Sequence, residues 1–229
     1  MFSSIPGNKH LIPQSLAAQT NFWMLLRHKQ IALLIFWILA AGLGFHLLLR
    51  YKGTPGNPGQ TPFSWVHNDL VSLSGKPMVI VFAHPCCPCT KATLGELELL
   101  ITDARDQFDA VVLFYEPAGA SKIWTGSPLI RAARSIPGAR VVLDEEGKLA
   151  GKFGVKTSGH TLVYASDGQL RFSGGITGAR GHLGYNAGYA AVRGLIINDS
   201  VSSALTTTST PTFGCELFNR CDRDQIARK

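Results

Sequence analysis

Charge is scarce in this 229-residue chain, and acid is missing from one end of it. Only 16% of the residues are Asp, Glu, Lys or Arg, while 45% are hydrophobic, which excludes a disordered chain and a coiled coil. Residues 1–52 contain no Asp or Glu, yet carry Lys9, Arg27, Lys29, Arg50 and Lys52. Residues 53–229 hold the other 17 Lys/Arg against all 15 acids, so that part is only +2 of the total +7. A basic surface for nucleic acid is thereby set aside. The glycines at 174, 175, 178, 181 and 184 have no Gly-Lys-Ser/Thr after them, so they form no phosphate loop and nucleotide binding is unsupported. No internal repeat is visible.

One long apolar run stands out. Ile31 to Leu49 is nineteen residues without charge, interrupted only by His46 near its end. As a helix it spans roughly 28 Å, close to the ~30 Å hydrocarbon thickness of a bilayer. Arg27 and Lys29 precede it; Arg50, Tyr51 and Lys52 follow as interfacial anchors. The run is longer than a signal-peptide core, and no small-x-small site follows Leu49, so a retained transmembrane helix is expected. Flanking charge is balanced and leaves the orientation open.

Beyond the run the chain divides readily. The segment 50–62, with Gly53–Pro62 dense in Gly and Pro, reads as a spacer. A domain is expected over 63–198. Met78–Ala83 and Ala110–Tyr115 are apolar, β-branched runs that predict strands buried on both faces. Val141–Leu143 predicts a shorter strand, and Thr161–Tyr164 and Leu170–Phe172 flank the Asp167-Gly168 turn. Helices are expected over Cys89–Ala104, with Lys91, Glu96 and Glu98 toward water, over Glu145–Phe153, and over Asn186–Ile197. The order describes a central mixed sheet with helices on both sides, an α/β domain. Residues 199–229 form a Ser/Thr-rich tail whose Phe213–Phe218 is apolar enough to dock back.

The chemistry lies in five cysteines: Cys86, Cys87 and Cys89, then Cys215 and Cys221. Cys86-Cys87-Pro88-Cys89 joins a buried strand to a helix, where free N–H groups and the helix dipole favour a thiolate. Cys89, one turn on, can close a disulfide on Cys86, and Pro88 suits the first turn. The functional reading makes Cys86 the attacking thiolate and Cys89 the resolving thiol. An inert disulfide and half a zinc site are the alternatives, the latter lacking a second C-x-x-C. Cys87 is expected to be a bystander or accessory, with a third metal ligand and a site of glutathione-type adducts as the other readings. Cys215 and Cys221 form a local disulfide in the simplest reading; in the other, Phe213-Gly214-Cys215 folds over the site and Cys215 resolves. His84, extended before Pro85, reads equally as a site neighbour or as solvated, and His182 is a minor candidate.

These pieces resemble the membrane-anchored thioredoxin-like proteins of bacteria, the group of the TlpA and ResA disulfide reductants, over about residues 63–197. The resemblance rests on Val79–Ala83, Cys86-Cys87-Pro88-Cys89, Val142–Leu149, Phe153-Gly154-Val155 and Thr161–Leu170. His84-Pro85, Ser173–Thr177 with Arg180-Gly181-His182, and Phe213-Gly214-Cys215 are similar to the hallmarks of a small RedB-like group. The resemblance implies a thioredoxin-like fold on one transmembrane helix. It further implies thiol–disulfide exchange with extracytoplasmic proteins, needing no cofactor, on the periplasmic face of a bacterial inner membrane, with residues 1–30 in the cytoplasm.

One departure matters. Where thioredoxins carry a cis-proline opposite the cysteines, this chain has His160. That residue is read either as a tuner of Cys86 or as a third ligand beside Cys86 and Cys89. The latter set resembles the Sco-type copper proteins, and two thiolates with an imidazole suit copper.

Overall fold

In the computed structural model, residues 14–120, 122–197 and 208–219 are described. The chain forms two units, Met1–Tyr51 and Lys52–Lys229.

The first unit is a single helix, α1 (Gln14–Gly53). Its Arg27–Gly53 part is long and apolar enough to cross a membrane and buries nothing within the protein. Phe36, Trp37 and Leu39 are each about two-thirds exposed. The helix starts well before Ile31 because nothing between Gln14 and Arg27 breaks it: the segment has neither Pro nor Gly.

The second unit is built on a six-stranded sheet in the order β3-β2-β1-β4-β5-β6. The strands are β1 (Met78–Ala83), β2 (Asp109–Glu116), β3 (Ala139–Glu145), β4 (His160–Tyr164), β5 (Leu170–Gly175) and β6 (Thr208–Ser209). β1, β2 and β3 are parallel; β4 is antiparallel to both β1 and β5. The β1–β2 crossover runs through α2 (Thr90–Asp103); α3 (Lys122–Thr125) and α4 (Pro128–Arg134) lie between β2 and β3. α5 (Lys148–Lys152) and α6 (Ala187–Ile197) complete the unit.

Alternation along the strands makes two cores. Val79, Val81 and Ala83 of β1 pack with Val112 and Phe114, under Leu94, Leu97 and Leu100 of α2, Ile130 of α4 and Val192 of α6. Met78, Ile80 and Phe82 face the other way, onto Leu149 and Phe153, with Leu162, Tyr164 and Leu217. Burial on both faces explains the uninterrupted apolar runs.

Three details depart from the sequence reading. Glu145 ends β3 instead of opening a helix. Glu146 and Gly147 take positive φ, and the Asp144 carboxylate accepts the N–H groups of Leu149 and Ala150 at 2.8 Å each, so α5 starts at Lys148. Glu96 is buried, where it accepts the Gly184 N–H at 2.7 Å, while Leu99 points to solvent. The stretch 53–62 is laid along the domain: Gly56 N–H donates to Thr212 O and Gln60 N–H to Gly154 O.

Candidate functional site

β1 runs straight into the site. Ala83 is its last residue; His84 and Pro85 follow, and Cys86 to Cys89 lead into α2. The loop is fixed from inside. His84 N–H donates to Ser158 Oγ at 2.9 Å, and Ser158 Oγ lies 3.0 Å from Thr90 Oγ1, which donates to His84 O. His84 is buried, not solvated. Its Nδ1 accepts the Cys86 N–H at 3.1 Å and its Nε2 lies 2.7 Å from Asn219 O. One nitrogen accepts and the other faces a carbonyl, which defines a neutral imidazole protonated at Nε2. The ring stacks on Tyr115 and meets Trp124 edge-on.

A second segment crosses this loop. From β6 the chain runs as a strap over residues 208–219. Ser158 N–H donates to Cys215 O at 2.9 Å, Leu217 N–H to Lys156 O at 2.9 Å, and Arg180 to Gly214 O. Gly214 is required by this contact, because a Cβ there would overlap the Ser158 carbonyl. Phe218 meets Tyr115 edge-on at 5.6 Å.

The strap delivers Cys215 to the cysteine loop. Its Sγ lies 2.9 Å from Cys87 Sγ, and its N–H donates to the same sulfur at 3.4 Å. Cys215 is a free thiol, so it forms no disulfide with Cys221, which lies outside the described residues. The simplest sequence reading of the tail is corrected on this point. Cys87 and Cys89 are also free thiols, whereas Cys86 is disulfide-bonded.

The three thiols divide the charge unequally. The Cys215 thiol, and then that of Cys89, donate to Cys87 and hold it far below the usual thiol range, against the opposing effect of burial. Cys215 is driven up by its hydrogen bonds to Cys87 and Cys89 and by burial. For Cys89 the hydrogen bond from Cys215 lowers the value. Donation to Cys87, burial and the Cys87 charge outweigh it, and the result is upward. These hydrogen bonds favour the thiolate form at Cys87, at the foot of α2, where the helix dipole adds to the same preference.

His160 opens β4, opposite Phe82. Both of its ring nitrogens are engaged by hydroxyls: Nε2 lies 2.9 Å from Ser173 Oγ and Nδ1 3.2 Å from Thr212 Oγ1. Burial lowers its pKa from 6.5 to about 4, so it is neutral. All peptide bonds among the described residues are trans. His182 lies on an exposed turn before α6.

The donors expected of a copper site are thus separately occupied: Cys86 by a disulfide, Cys89 by the other thiols and His160 by hydroxyls. Among the described residues no group of three or more His, Cys, Asp or Glu is placed to hold a metal ion. Cys87 and Cys215, at 2.9 Å, are closer than the roughly 3.7 Å between two thiolates on one tetrahedral metal. Sequence reasoning assigned Cys87 a minor place, because the C-x-x-C spacing directs attention to the outer pair.

No protein-family model matches the chain, and no curated protein matches it. Solved structures do. An uncharacterised conserved protein from Geobacillus kaustophilus shares 16% identity, covering 75% of this chain and 93% of its own, at a TM-score of 0.54. A hypothetical protein from Sinorhizobium meliloti 1021 shares 19%, covering 74% and 96%, at 0.53. A secreted disulfide oxidoreductase from Mycobacterium tuberculosis shares 21%, covering 43% and 68%, at 0.33. The strand order, the antiparallel β4–β5 pair and the cysteine loop between β1 and α2 define the class: the Lys52–Lys229 unit is a thioredoxin-like fold behind one apolar N-terminal helix.

Proposed function

We propose that this protein is a membrane-anchored thiol–disulfide oxidoreductase, acting through Cys86 and Cys89 on extracytoplasmic proteins at a bacterial inner membrane. The observation that carries the reading is the coexistence of both reactants of exchange in one helix-opening loop. Cys86 is in a disulfide, and Cys89, one turn on, is a free thiol. Exchange needs no external oxidant. Cys89 gives its proton to the Cys87 sulfur it already donates to and attacks Cys86 Sγ; the bond from Cys86 to its present partner breaks, and that partner leaves as a thiolate. A substrate thiolate then attacks Cys86 of the Cys86–Cys89 disulfide and releases Cys89. The reverse sequence reduces a substrate disulfide.

A disulfide beside free thiols suits an oxidising compartment. That supports an extracytoplasmic domain, with α1 as the anchor and the N-terminus in the cytoplasm. The test is substrate trapping in cells. Cys89→Ser should accumulate mixed disulfides on Cys86, seen as reducible high-mass bands, and Cys86→Ser should abolish both the bands and the exchange. A Cys89→Ser protein that gathers no partner would refute the assignment.

A further inference from the structure

We infer that Cys87 and Cys215 form a second redox-active pair, distinct from Cys86 and Cys89, that reacts with low-molecular-weight disulfides and covalently latches the strap. Cys87 has no part in the exchange proposed above; it lies buried beneath the strap, at 1% exposure, and is reached when the strap lifts. Yet its sulfur lies 2.9 Å from Cys215 Sγ and accepts the Cys215 backbone N–H at 3.4 Å. Both contacts come from a segment 128 residues away in sequence. A chance neighbour would not be aimed this way. The register of the strap is set on both sides of Cys215, by the Gly214 approach to the Ser158 carbonyl and by Leu217 N–H on Lys156 O. The two sulfurs therefore meet whenever the strap is down.

The chemistry balances with a disulfide RSSR as oxidant. The Cys87 thiolate attacks one sulfur of RSSR, forming a Cys87–S–S–R bond and expelling RS⁻. Cys215 loses its proton to solvent and attacks Cys87 Sγ, forming the Cys87–Cys215 bond and expelling the second RS⁻. Two protein thiols are oxidised and one RSSR is reduced to two thiols. When the strap closes again it returns Cys215 to Cys87, so the second step outruns any external thiol. Closing the bond fixes the strap over the cysteine loop. Reducing it leaves only hydrogen bonds and packing to hold the strap there.

The experiment uses the full chain in detergent micelles, with C86S/C89S/C221S to leave only this pair, titrated with oxidised and reduced glutathione. The expected product is a protein lighter by two hydrogens, with no glutathione retained. Adding Cys215→Ser should convert it to a stable glutathione adduct on Cys87. A persistent adduct in the presence of Cys215, or two unreacted thiols, overturns the pair. If that variant does not fold, the oxidised wild-type chain decides: peptic fragmentation should link Cys215 to Cys87, and a link to Cys89 or Cys86 overturns the proposal. Hydrogen exchange of the 212–217 amides should slow at least about tenfold on oxidation, and unchanged exchange removes the latch. C87S/C89S/C215S tested by substrate trapping separates the two readings. Trapping by that variant beside a failed glutathione result sinks only the second pair; pair formation without trapping by Cys89→Ser sinks only the exchange at Cys86.

Discussion

The two segments that meet at the sulfur atoms are held by different means. The cysteine loop is fixed from within: it continues β1, which is buried on both faces, and opens α2, whose Leu94, Leu97 and Leu100 lie in the core. The strap is held by Gly56, Ser158, Arg180 and Leu217 hydrogen bonds, by close backbone approaches at Gly174, Gly175 and Gly214, and by one core side chain, Leu217. Core strands and helices open only with global unfolding, whereas a chain segment that buries a single large side chain opens locally at lower cost. The difference separates two properties of the site. Its geometry belongs to the loop, and access to it belongs to the strap.

The comparison can be broken most strongly at Gly214. Gly214→Val forces a side chain into the Ser158 carbonyl, which should lift the strap and leave the loop intact. Hydrogen bonds of about 0.5–1.5 kcal/mol each are lost together, and each 1.36 kcal/mol is tenfold. Alkylation of Cys87 in the reduced protein should therefore accelerate on the order of a hundredfold. Iodoacetamide labelling with site-resolved mass spectrometry checks this. An unchanged rate would mean that the strap does not control access.

His160 sharpens the comparison because it joins the strap to the sheet, through Thr212 and Ser173. Its pKa falls from 6.5 to about 4 on folding, owing to burial. The folded state thus binds fewer protons than the unfolded state between these values, and stability drops as the pH falls through that window. The contribution is fully present above pH 6.5 and should shrink by about 2 kcal/mol between pH 7 and pH 5. Denaturant unfolding across this range should show a shallower loss in His160→Gln. Parallel pH profiles for the two proteins would show that His160 titrates normally.

Much of the fold was legible from β1, β2, β4 and β5, because strands buried on both faces leave uninterrupted apolar runs. α3 and α4 were not, being four and seven residues long. Only Ser127-Pro128, a cap followed by a first-turn proline, announced α4. Within the site, Cys86 and Cys89 were visible by spacing and context. The return of Phe213-Gly214-Cys215 over the site was one of two readings of the tail, but its meeting with Cys87 in particular was not visible, since no local pattern encodes a pairing across most of a domain. A signal did exist in the glycines. Gly174, Gly175 and Gly214 all sit where one backbone lies against another, and Ser173-Gly174-Gly175 at a strand end could have marked where the tail returns.

The finest test of the comparison lies at Ser158, which serves both segments with different atoms. Its hydroxyl accepts the His84 N–H and meets Thr90 in the loop, while its backbone N–H holds Cys215 O of the strap. Ser158→Ala removes the first set and leaves the second. The His84 N–H is then buried without an acceptor, a cost of about 1–3 kcal/mol, which should appear in urea unfolding as a lower midpoint with an unchanged slope. Alkylation of Cys87 should stay within about twofold of the wild-type rate, since the strap keeps its backbone bonds. If the rate instead rises with the loss of stability, loop and strap open as one unit and the division between geometry and access fails.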